Sequence, residues 1–328
     1  TKKIKNFLLK NWNKNHIFCK KKFFFDWLYK NKKYYNCISI TYNFKLIGVN
    51  FYIPLSKFDQ KLEKNKECFL SLARVINHKK IIGGNLIMVN KINKKFNSFI
   101  GSIGIANKSF RFHEWMKFKV GYLDHYFIIS PYLNKFSIAS IKKRTKLSRP
   151  IRKENIKSIE LNKFNINEHL DNNFFLNFTP TKSKTYIINR YLAHPIYSYK
   201  AFLIINKFTK QKVILIIRVV NINNSSIIKI VDFIGSSKNF FLINSLCYSL
   251  LEDTKSEYID CYSYGIKIRD IKRAGFTVRN KNSKIVVPNY FEPYVRRNID
   301  IAFAFKNKNN NKEVKIFRGD GDQDRPSK

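Results

Sequence analysis

The segment 226–276 restricts the folds open to this chain more than any other part of the sequence. Ile227–Ile234 is a run of mostly β-branched residues that stops at Gly235–Ser237, and Lys238–Glu252 then carries apolar residues at helical spacing. A second strand, Tyr258–Tyr262, follows. A strand that ends in a small-residue loop and opens a helix leaves backbone N–H groups that can hold an anion. The segment therefore predicts a β-loop-α-β unit with a site for chemistry at its loop.

The first half of the chain predicts the same order of secondary-structure elements. Cys37–Tyr42 and Leu46–Ile53 predict a hairpin, and Cys68–Ile76 predicts a third strand. A glycine-containing loop then leads into a helix that lasts to about Lys95, and Ser98–Ile105 predicts the next strand. Antiparallel strands followed by a helical crossover predict an α/β (α+β) fold, with mixed, mostly antiparallel sheets flanked by helices. The repetition favours a duplicated domain, with one larger sheet carrying insertions as the alternative.

A charged segment, residues 142–168, is poor in aromatic residues and contains Pro150. This composition favours a linker, and 328 residues are enough for two domains. We therefore predict an N-terminal domain over residues 1–150 and a C-terminal domain with a C-terminal extension over residues 151–328. The other predicted elements are a helix over Phe23–Tyr29, a helix or irregular segment over Lys108–Tyr122, strands over Tyr126–Ile129, Tyr199–Asn206 and Val213–Asn221, and a short helix within Ile268–Phe276.

The net charge of +41, from 63 basic and 22 acidic residues, indicates a polyanionic partner such as nucleic acid. The lysines are nevertheless spread through apolar stretches of the whole chain, as an A/T-biased coding sequence would spread them, rather than gathered in an arm. The denser clusters, Lys20–Lys22 and Lys142–Arg152, suit solvated faces or the linker. Nucleic acid is thus an open but not the favoured partner, and anionic lipid headgroups or phosphorylated carriers also remain open.

The cysteines and the apolar pattern bear on location. The five cysteines form no C-x-x-C pair and no metal-ligand spacing, which is typical of free thiols in a reducing compartment. The sequence has no run of about 18 apolar residues, and its basic start lacks the apolar segment and cleavage site of a secretory signal. These features predict a cytosolic protein. The first residue is Thr1 rather than Met, so the natural N-terminus stays open.

The loop before the first predicted crossover helix reads Lys-Ile-Ile-Gly-Gly-Asn over residues 80–85. It resembles the GNAT acyltransferase superfamily, in which Gln or Arg, two residues, Gly, any residue, and Gly or Ala hold the pyrophosphate of acyl-coenzyme A. Lysine at the first position and asparagine at the last depart from that pattern. Glycine still lets the backbone approach a phosphate, and the helix start supplies N–H donors. The implied cofactor-binding residues are Lys80, Ile82, Gly83, Gly84 and Asn85, with Gly235, Ser236 and Ser237 in the equivalent second loop.

The order of elements over roughly residues 23–305 extends this resemblance to both halves. Ala274–Phe276 resembles the Gly-Phe ending of many GNAT domains, and a tandem pair of such domains is similar to the Fem-type aminoacyl transferases. Residues 286–294 and 317–326 also resemble the end of uncharacterised bacterial proteins associated with surface-polysaccharide genes. The resemblance implies two GNAT-like domains, acetyl-CoA or another acyl-CoA as cofactor, and a small-molecule or sugar-linked acceptor.

Acyl transfer requires a base for the acceptor and donors for the developing oxyanion, so carboxylates, histidines and tyrosines near strand ends are the candidates. Asp232, two residues before a strand end, is expected to be a half-buried base, or else to pair with a Lys or Arg. His194 is held extended by the following proline and contacts substrate, or is a structural histidine. The predicted catalytic residues are Asp232, His194, Tyr262 and Glu292.

Alternation along the strand after the second loop places Asp260, Tyr262 and Tyr264 on one face. That face suits a substrate hydroxyl and a general acid, or is the solvent side of the strand. His125 and His78 are weaker candidates, because a lone histidine is usually structural or exposed.

Asp320, Asp322 and Asp324 alternate near the C-terminal end and begin like a calcium loop. The glycine and glutamate that complete such a loop are missing, so we expect no metal. These carboxylates suit the amino group or hydroxyls of a sugar, with Arg318 and Arg325 holding a phosphate, or they neutralise a lysine-rich face. The predicted substrate-binding residues are Asp260, Tyr264, Asp322 and Arg325.

Two hypotheses of function follow. The sequence has no G-x-x-x-x-G-K, G-x-S-x-G or G-x-G-x-x-G pattern, which argues against common NTPases, α/β-hydrolases and Rossmann dehydrogenases. The leading hypothesis is a cytosolic acyltransferase that moves an acyl or aminoacyl group from acyl-CoA or a charged carrier to an amino sugar or polysaccharide intermediate. The alternative is a non-catalytic nucleic-acid-binding or ribosome-associated protein. The first predicts a concave site at Gly83–Gly84, and the second predicts a broad basic surface with aromatic residues.

Overall fold

A computed structural model describes residues 2–77, 82–141, 155–280, 284–308 and 312–326. Its α-helices are α1 (Lys2–Asn11), α2 (Ile17–Lys20), α3 (Lys22–Tyr29), α4 (Gly84–Lys95), α5 (Phe110–Trp115), α6 (Ile166–His169), α7 (Lys184–Ile187), α8 (Asn244–Asp253) and α9 (Ile268–Arg273). Its strands are β1 (Lys30–Asn31), β2 (Tyr34–Tyr35), β3 (Cys37–Tyr42), β4 (Lys45–Pro54), β5 (Glu67–Val75), β6 (Phe99–Ile103), β7 (Lys119–Tyr122), β8 (Asp124–Ile129), β9 (Ile156–Leu161), β10 (Phe178–Thr179), β11 (Lys200–Asn206), β12 (Lys212–Ile222), β13 (Ser225–Ile234), β14 (Tyr258–Tyr264), β15 (Thr277–Val278), β16 (Tyr290–Phe291), β17 (Tyr294–Val295), β18 (Ala302–Asn307), β19 (Glu313–Val314) and β20 (Ile316–Phe317).

The chain forms two compact units, and each gathers more than one stretch of sequence. Unit 1 consists of Thr1–Gly121, Ala302–Asn311 and Asp320–Lys328, and unit 2 consists of Tyr122–Ile301 and Lys312–Gly319. Strand β8 therefore belongs to unit 2, although it lies in the first half of the sequence. The predicted domain boundary at residue 150 lies outside the described residues and stays a prediction. The described part of the predicted linker forms β9 and α6.

Most predicted elements are present. The predicted hairpin corresponds to β3 and β4, and the strands of the segment 226–276 correspond to β13 and β14. The helix predicted over Lys238–Glu252 differs, because the chain first forms a 3₁₀ segment, Ser237–Ile243, and becomes α-helical only in α8. Phe240, Leu242 and Ile243 are all buried, so this segment is enclosed on several sides rather than along one helical face.

Unit 1 is built on a six-stranded sheet of order β3-β4-β5-β6-β18-β7. Strands β3, β4 and β5 pair antiparallel, α4 crosses over, and β6 returns parallel to β5. Tyr52, Val89 and Ile100 belong to one buried core cluster, to which both the sheet and α4 contribute. Burying each such side chain stabilises the fold by roughly 1.5–3 kcal/mol, which fixes α4 against the sheet.

Unit 2 repeats this order on a larger sheet. Its strands run β15-β8-β14-β13-β12-β11-β9, and β20 also pairs with β14. Strands β11, β12 and β13 pair antiparallel, α8 crosses over, and β14 lies parallel to β13. Leu215, Ile230 and Leu251 belong to its core cluster. Each unit thus has three antiparallel strands, a glycine-containing loop, a helical crossover and a parallel strand.

In both units the strand that leads to the loop has a β-bulge. The register of β5 shifts at Ser71, and Val231 is the extra residue in β13. A bulge bends a strand and interrupts its regular pairing. The parallel pairs end at Leu70 in β5 and at Ile230 in β13, so beyond these residues each strand separates from its parallel neighbour.

The C-terminal part of the chain contacts both bulged strands, each within its own unit. In unit 2, β20 pairs with β14 beyond the last β13–β14 pair, and the Gly319 N–H donates to the Val231 carbonyl at 2.8 Å. In unit 1, Asp322 accepts a hydrogen bond from Ser71 at 2.6 Å. These contacts were not predicted, because a two-residue strand carries no periodic signal.

His16 makes the stability of unit 1 depend on pH. Its side chain caps α2 by accepting a hydrogen bond from the Phe18 N–H, and its ring centre lies 4.4 Å from that of Trp12. Burial lowers the pKa of His16 from 6.5 to about 4, with Arg325 as a smaller cause and Asp322 opposing it. On acidification, His16 binds its proton at a higher pH in the unfolded chain than in the folded chain. We therefore expect the free energy of unfolding to fall as the pH drops from about 6.5 to about 4, by roughly 1–2 kcal/mol after allowing for partial exposure.

Denaturant unfolding at several pH values across this window measures the effect, with His16→Asn as the matched control. Asparagine is a good helix N-cap and does not titrate, so the variant keeps the cap and loses the pH dependence that His16 contributes. Equal losses of stability in the two proteins on acidification would assign the effect to other groups.

Candidate functional site

The loop before α4 presents an open helix start in unit 1. Gly83 is the N-cap of α4 with φ of +76°, a conformation that favours glycine. Among the described residues, and apart from Gly83 and its two chain neighbours, no atom lies within 4 Å of the position that a Cβ would take at Gly83. The neighbouring Ile82 is 90% exposed. The first N–H groups of an α-helix have no acceptor within the helix, so this start has the geometry of an anion site. The predicted residues Lys80 and His78 lie outside the described residues.

Asn85, in the first turn of α4, directs its side chain at a sheet residue. Its amide oxygen accepts a hydrogen bond from Asn50 Nδ2 at 3.2 Å, and Asn50 is buried in β4. The side-chain oxygen of Asn85 is therefore already hydrogen-bonded. For an anion at the helix start, Asn85 and Gly84 would each supply a backbone N–H donor.

The equivalent loop of unit 2 is filled by groups of the protein itself. Lys315 Nζ donates to the Gly235 carbonyl at 2.7 Å, and a Cβ at Gly235 would lie 2.6 Å from Val213 Cγ1. Ser237 is buried, and its hydroxyl donates to Asp270 Oδ2 at 3.0 Å. This arrangement argues against a pyrophosphate at the second loop, because the space that one would occupy beside Gly235 is taken.

Asp232 lies in a buried ion pair. Both of its carboxylate oxygens lie 2.6 Å from Lys182 Nζ, and the Tyr191 hydroxyl donates to Oδ2 at 2.7 Å. Asp232 is fully buried and Lys182 nearly so. The expectation of a half-buried carboxylate is wrong, because two residues that precede Asp232 by 50 and 41 positions cover it. Pairing with a basic residue, the other interpretation of the sequence, is confirmed. A catalytic role of Asp232 stays a prediction.

Asp260 and Tyr262 share a face of β14 that is buried, not exposed to solvent. His125 Nε2 lies 3.1 Å from Asp260 Oδ2, and the His125 ring stacks on Tyr262 with centroids 4.0 Å apart. The Tyr262 hydroxyl donates to the Ile299 carbonyl at 2.9 Å. Burial raises the pKa of Tyr262, and burial lowers the pKa of His125 against the opposing effect of Asp260. Tyr262 is therefore a neutral donor at ordinary pH. Tyr264 is half-buried.

His194 and Glu292, both predicted catalytic residues, come together through Tyr197, which sequence analysis missed. The Tyr197 hydroxyl donates to Glu292 Oε1 at 3.2 Å, and its ring stacks on His194 with centroids 5.5 Å apart. His194 Nδ1 accepts hydrogen bonds from the N–H groups of Ile196 and Tyr197. His194, Tyr197 and Glu292 are all half-buried, but the Nε2 atom of His194 is itself buried. In the sequence, the only signal that Tyr197 belongs to this cluster is its position three residues after His194.

Asp322 and Arg325 meet the bulge of β5 in unit 1. The Ser71 hydroxyl donates to Asp322 Oδ2 at 2.6 Å and lies 2.6 Å from the Tyr29 hydroxyl. Arg325 Nη1 lies 3.0 Å from Asp322 Oδ2, and its guanidinium lies 5.4 Å from the Phe18 ring centre. A half-buried hydroxyl held by a carboxylate therefore lies on the same strand that leads to Gly83. Ser71 and Tyr29 carried no signal in the sequence.

The remaining sequence candidates are placed as follows. Asp320, Asp322 and Asp324 are all buried. Arg318 is buried too, and it donates to the Asn289 carbonyl at 3.4 Å. Within the described ranges, no group of three or more His, Cys, Asp or Glu side chains is placed to hold a metal ion.

All five cysteines are free thiols, and four of them are buried. No helix in the described part of the chain combines the length and the apolar character needed to cross a bilayer.

The comparisons with known proteins bear on the fold. No protein-family model and no curated protein matches this sequence. Among solved structures, a proposed acetyltransferase from Pyrococcus horikoshii is similar over 96% of this chain and 89% of its own, with 10% identity and a TM-score of 0.45. A GCN5-related N-acetyltransferase from Sphaerobacter thermophilus is similar over 80% and 77%, with 7% identity and a TM-score of 0.39.

The fold is identified by similarity to a GCN5-related N-acetyltransferase from Anabaena variabilis. That protein is similar over 93% of this chain and 69% of its own, with 11% identity and a TM-score of 0.53. Identity this low shows the fold alone. The two repeated units agree with it, and the chain therefore has an α/β fold of the GCN5-related N-acetyltransferase type, with two GNAT-like domains.

Proposed function

We propose that this protein is an acyltransferase that moves an acyl or aminoacyl group from acyl-CoA or a charged carrier to an amine or hydroxyl. The observation that carries the proposal is the open helix start at Gly83–Gly84, within a chain that has the fold of an N-acetyltransferase. The second loop, at Gly235, is filled by side chains, so the proposal assigns donor binding to unit 1.

The donor's pyrophosphate would lie at the N-terminus of α4. The left-handed Gly83 lets the backbone approach a phosphate without a side chain in the way, and the N–H groups that follow are donors for its oxygens. The partial positive charge of the helix start adds to this attraction. The chain's own contribution to catalysis at this point is binding and orientation of the donor.

The acceptor would approach the bulge of β5. Asp322 holds the Ser71 hydroxyl, and Arg325 balances the charge of Asp322. When an amine attacks the thioester carbon, a C–N bond forms, the C–S bond breaks and the amine must lose a proton. A carboxylate–hydroxyl pair suits both the binding of an ammonium group and the acceptance of that proton. The pair of His194 and Glu292 in unit 2, which Tyr197 joins, stays the second candidate for this role.

The acceptor class that we propose is an amino sugar or a sugar-linked polysaccharide intermediate. Its support is the resemblance of the sequence to Fem-type and polysaccharide-associated proteins, together with carboxylate and guanidinium groups at Asp322 and Arg325. Carboxylates bind amines and hydroxyls of sugars, and arginine binds phosphate, so this pair suits a phosphorylated amino sugar.

A charge placed at Gly83 tests the donor site. Gly83→Asp is expected to weaken acetyl-CoA binding at least about tenfold relative to Gly83→Asn, because its carboxylate repels the pyrophosphate. Both residues tolerate positive φ and both cap helices well, so the two variants should be equally stable. Calorimetric titration with acetyl-CoA measures the affinity, and thiol release in the presence of a panel of amino sugars measures transfer.

The same pair of substitutions at Ser236, the N-cap of the 3₁₀ segment of unit 2, is the control. Ser236→Asp and Ser236→Asn should bind acetyl-CoA equally if unit 1 alone holds the donor. A charge effect at Ser236 but not at Gly83 would move the donor site to unit 2. No acetyl-CoA binding by the unchanged protein, or no thiol release with any amine, would remove the proposal for this donor.

A further inference from the structure

A cavity of about 640 Å³ lies between α1 and the β3–β4 hairpin of unit 1. Its wall includes Lys3, Lys10 and Lys45 and the aromatic residues Tyr42 and Phe44. No carboxylate is among its lining residues, which all belong to the described part of unit 1, so its three lysine charges are not offset within the lining. A concave site of this size and charge attracts a small anionic ligand.

Helix α1 supplies one wall with a regular spacing. Lys3, Asn6 and Lys10 follow each other at three and four residues, so they share one face of the helix. Asn11 and Asn43 line the same cavity. Ammonium groups supply charge, and amide side chains supply both donors and acceptors. This combination suits a ligand that has an anionic group and a polar ring edge.

Phe44 occupies a strained position at this cavity. Strands β3 and β4 pair Tyr42 with Lys45, so Asn43 and Phe44 form a two-residue loop with φ of 45° and 58°. Such loops favour Asn-Gly, because both residues take positive φ, and an aromatic residue in the second place is strained. Phe44 is also 97% exposed. Packing within the protein therefore does not explain this ring, whereas stacking on a ligand does.

We propose that the cavity binds a nucleoside phosphate, with the phosphate held by the lysines and the base stacked on Phe44. A bare anion would make no use of the aromatic ring, and a flat membrane surface would make no use of the concave, amide-lined wall. A free nucleotide and a nucleotide of single-stranded RNA share this chemistry. The inference goes beyond acyl transfer, because it uses none of the residues assigned to that reaction.

Titration calorimetry of the full chain with four probes tests the ligand class. AMP is expected to bind at least about tenfold more tightly than adenosine or inorganic phosphate, because only AMP engages both the lysines and Phe44. A single-stranded oligoadenylate identifies the source. Tighter binding than AMP, with steep weakening by salt, indicates RNA, and binding no tighter than AMP indicates a free nucleotide.

Phe44→Gly separates a ligand role from a structural role. The change relieves the positive φ, so the melting temperature should rise by about 2–4 °C. AMP affinity should fall by about tenfold with the loss of stacking. A purely structural residue would not move the two quantities in opposite directions. Phe208→Ala, at a 75% exposed phenylalanine of unit 2, is the matched control and should leave AMP affinity unchanged.

Three results would overturn the inference. The first is equal binding of phosphate and AMP, which would mean a simple anion patch. The second is no AMP binding up to about 1 mM while anionic phospholipid vesicles bind and lose binding in Phe44→Gly. The third is loss of AMP binding in Gly83→Asp, which would place the nucleotide at the start of α4. Failure of acetyl-CoA binding with AMP binding intact would leave this inference standing and remove only the proposed donor.

Discussion

Replacement of Asp232 by asparagine is expected to lower the free energy of unfolding by about 3–5 kcal/mol. The carboxylate has two contacts of 2.6 Å with Lys182 and one of 2.7 Å with the Tyr191 hydroxyl, and it exposes no surface. Asparagine leaves the Lys182 ammonium buried without a counter-charge, and that desolvation is the main cause of the loss. Denaturant unfolding, with unchanged dependence on denaturant concentration, measures it.

The double variant Lys182→Met, Asp232→Leu is the control. Both charges are then absent, and apolar side chains of similar size fill the site, so stability should return to within about 1–2 kcal/mol of the unchanged protein. The double variant also tests catalysis, because it removes the Asp232 carboxylate while the protein stays folded. Full transferase activity in a stable double variant would exclude Asp232 as the base, and a single variant as stable as the unchanged protein would contradict the ion-pair argument.

The repeated order of elements was predictable because its signals are local. Cys37–Tyr42 alternates and is rich in β-branched residues, and it corresponds to β3 residue for residue. The predicted strand Ile227–Ile234 is followed by a glycine, and β13 also ends at Ile234. The first loop was predictable for the same reason, since paired glycines before an apolar helical stretch mark a helix start.

The difference between the two loops was not predictable from either loop sequence. Gly83 and Gly235 both follow a bulged strand, yet only Gly235 is enclosed, by Lys315 from near the C-terminus and by Val213 from a neighbouring strand. Contacts between residues far apart in sequence depend on which strands pair. The residues of a single loop do not indicate which strands pair. The burial of Asp260 and Tyr262 was missed for the same reason, because period-two alternation does not tell whether a second layer covers the polar face.

Glu257 is a buried carboxylate that no sequence pattern indicated. Its Oε1 accepts hydrogen bonds from the Ser137 N–H at 2.6 Å and from the Ser137 hydroxyl at 2.8 Å. Its Oε2 accepts from the N–H groups of Ile138 and Ala139 at 2.9 and 2.8 Å. Ile138 and Ala139 thereby join the core cluster that includes Tyr258, the first residue of β14. Glu257 thus holds an irregular segment of unit 2 against its sheet.

Glu257→Gln is expected to lower the free energy of unfolding by about 3–4 kcal/mol. The amide loses the charge that strengthens these hydrogen bonds, and its NH₂ group faces a backbone N–H, so a buried donor is left without an acceptor. Urea unfolding measures the loss. Ser137→Ala removes the hydroxyl's hydrogen bonds to Glu257 and Ser225 at an exposed residue and should cost at most about 1 kcal/mol. The two losses should not add in the double variant, because they share one carboxylate. A loss below about 1 kcal/mol for Glu257→Gln would mean that burial of Ile138 and Ala139 alone holds the segment in place.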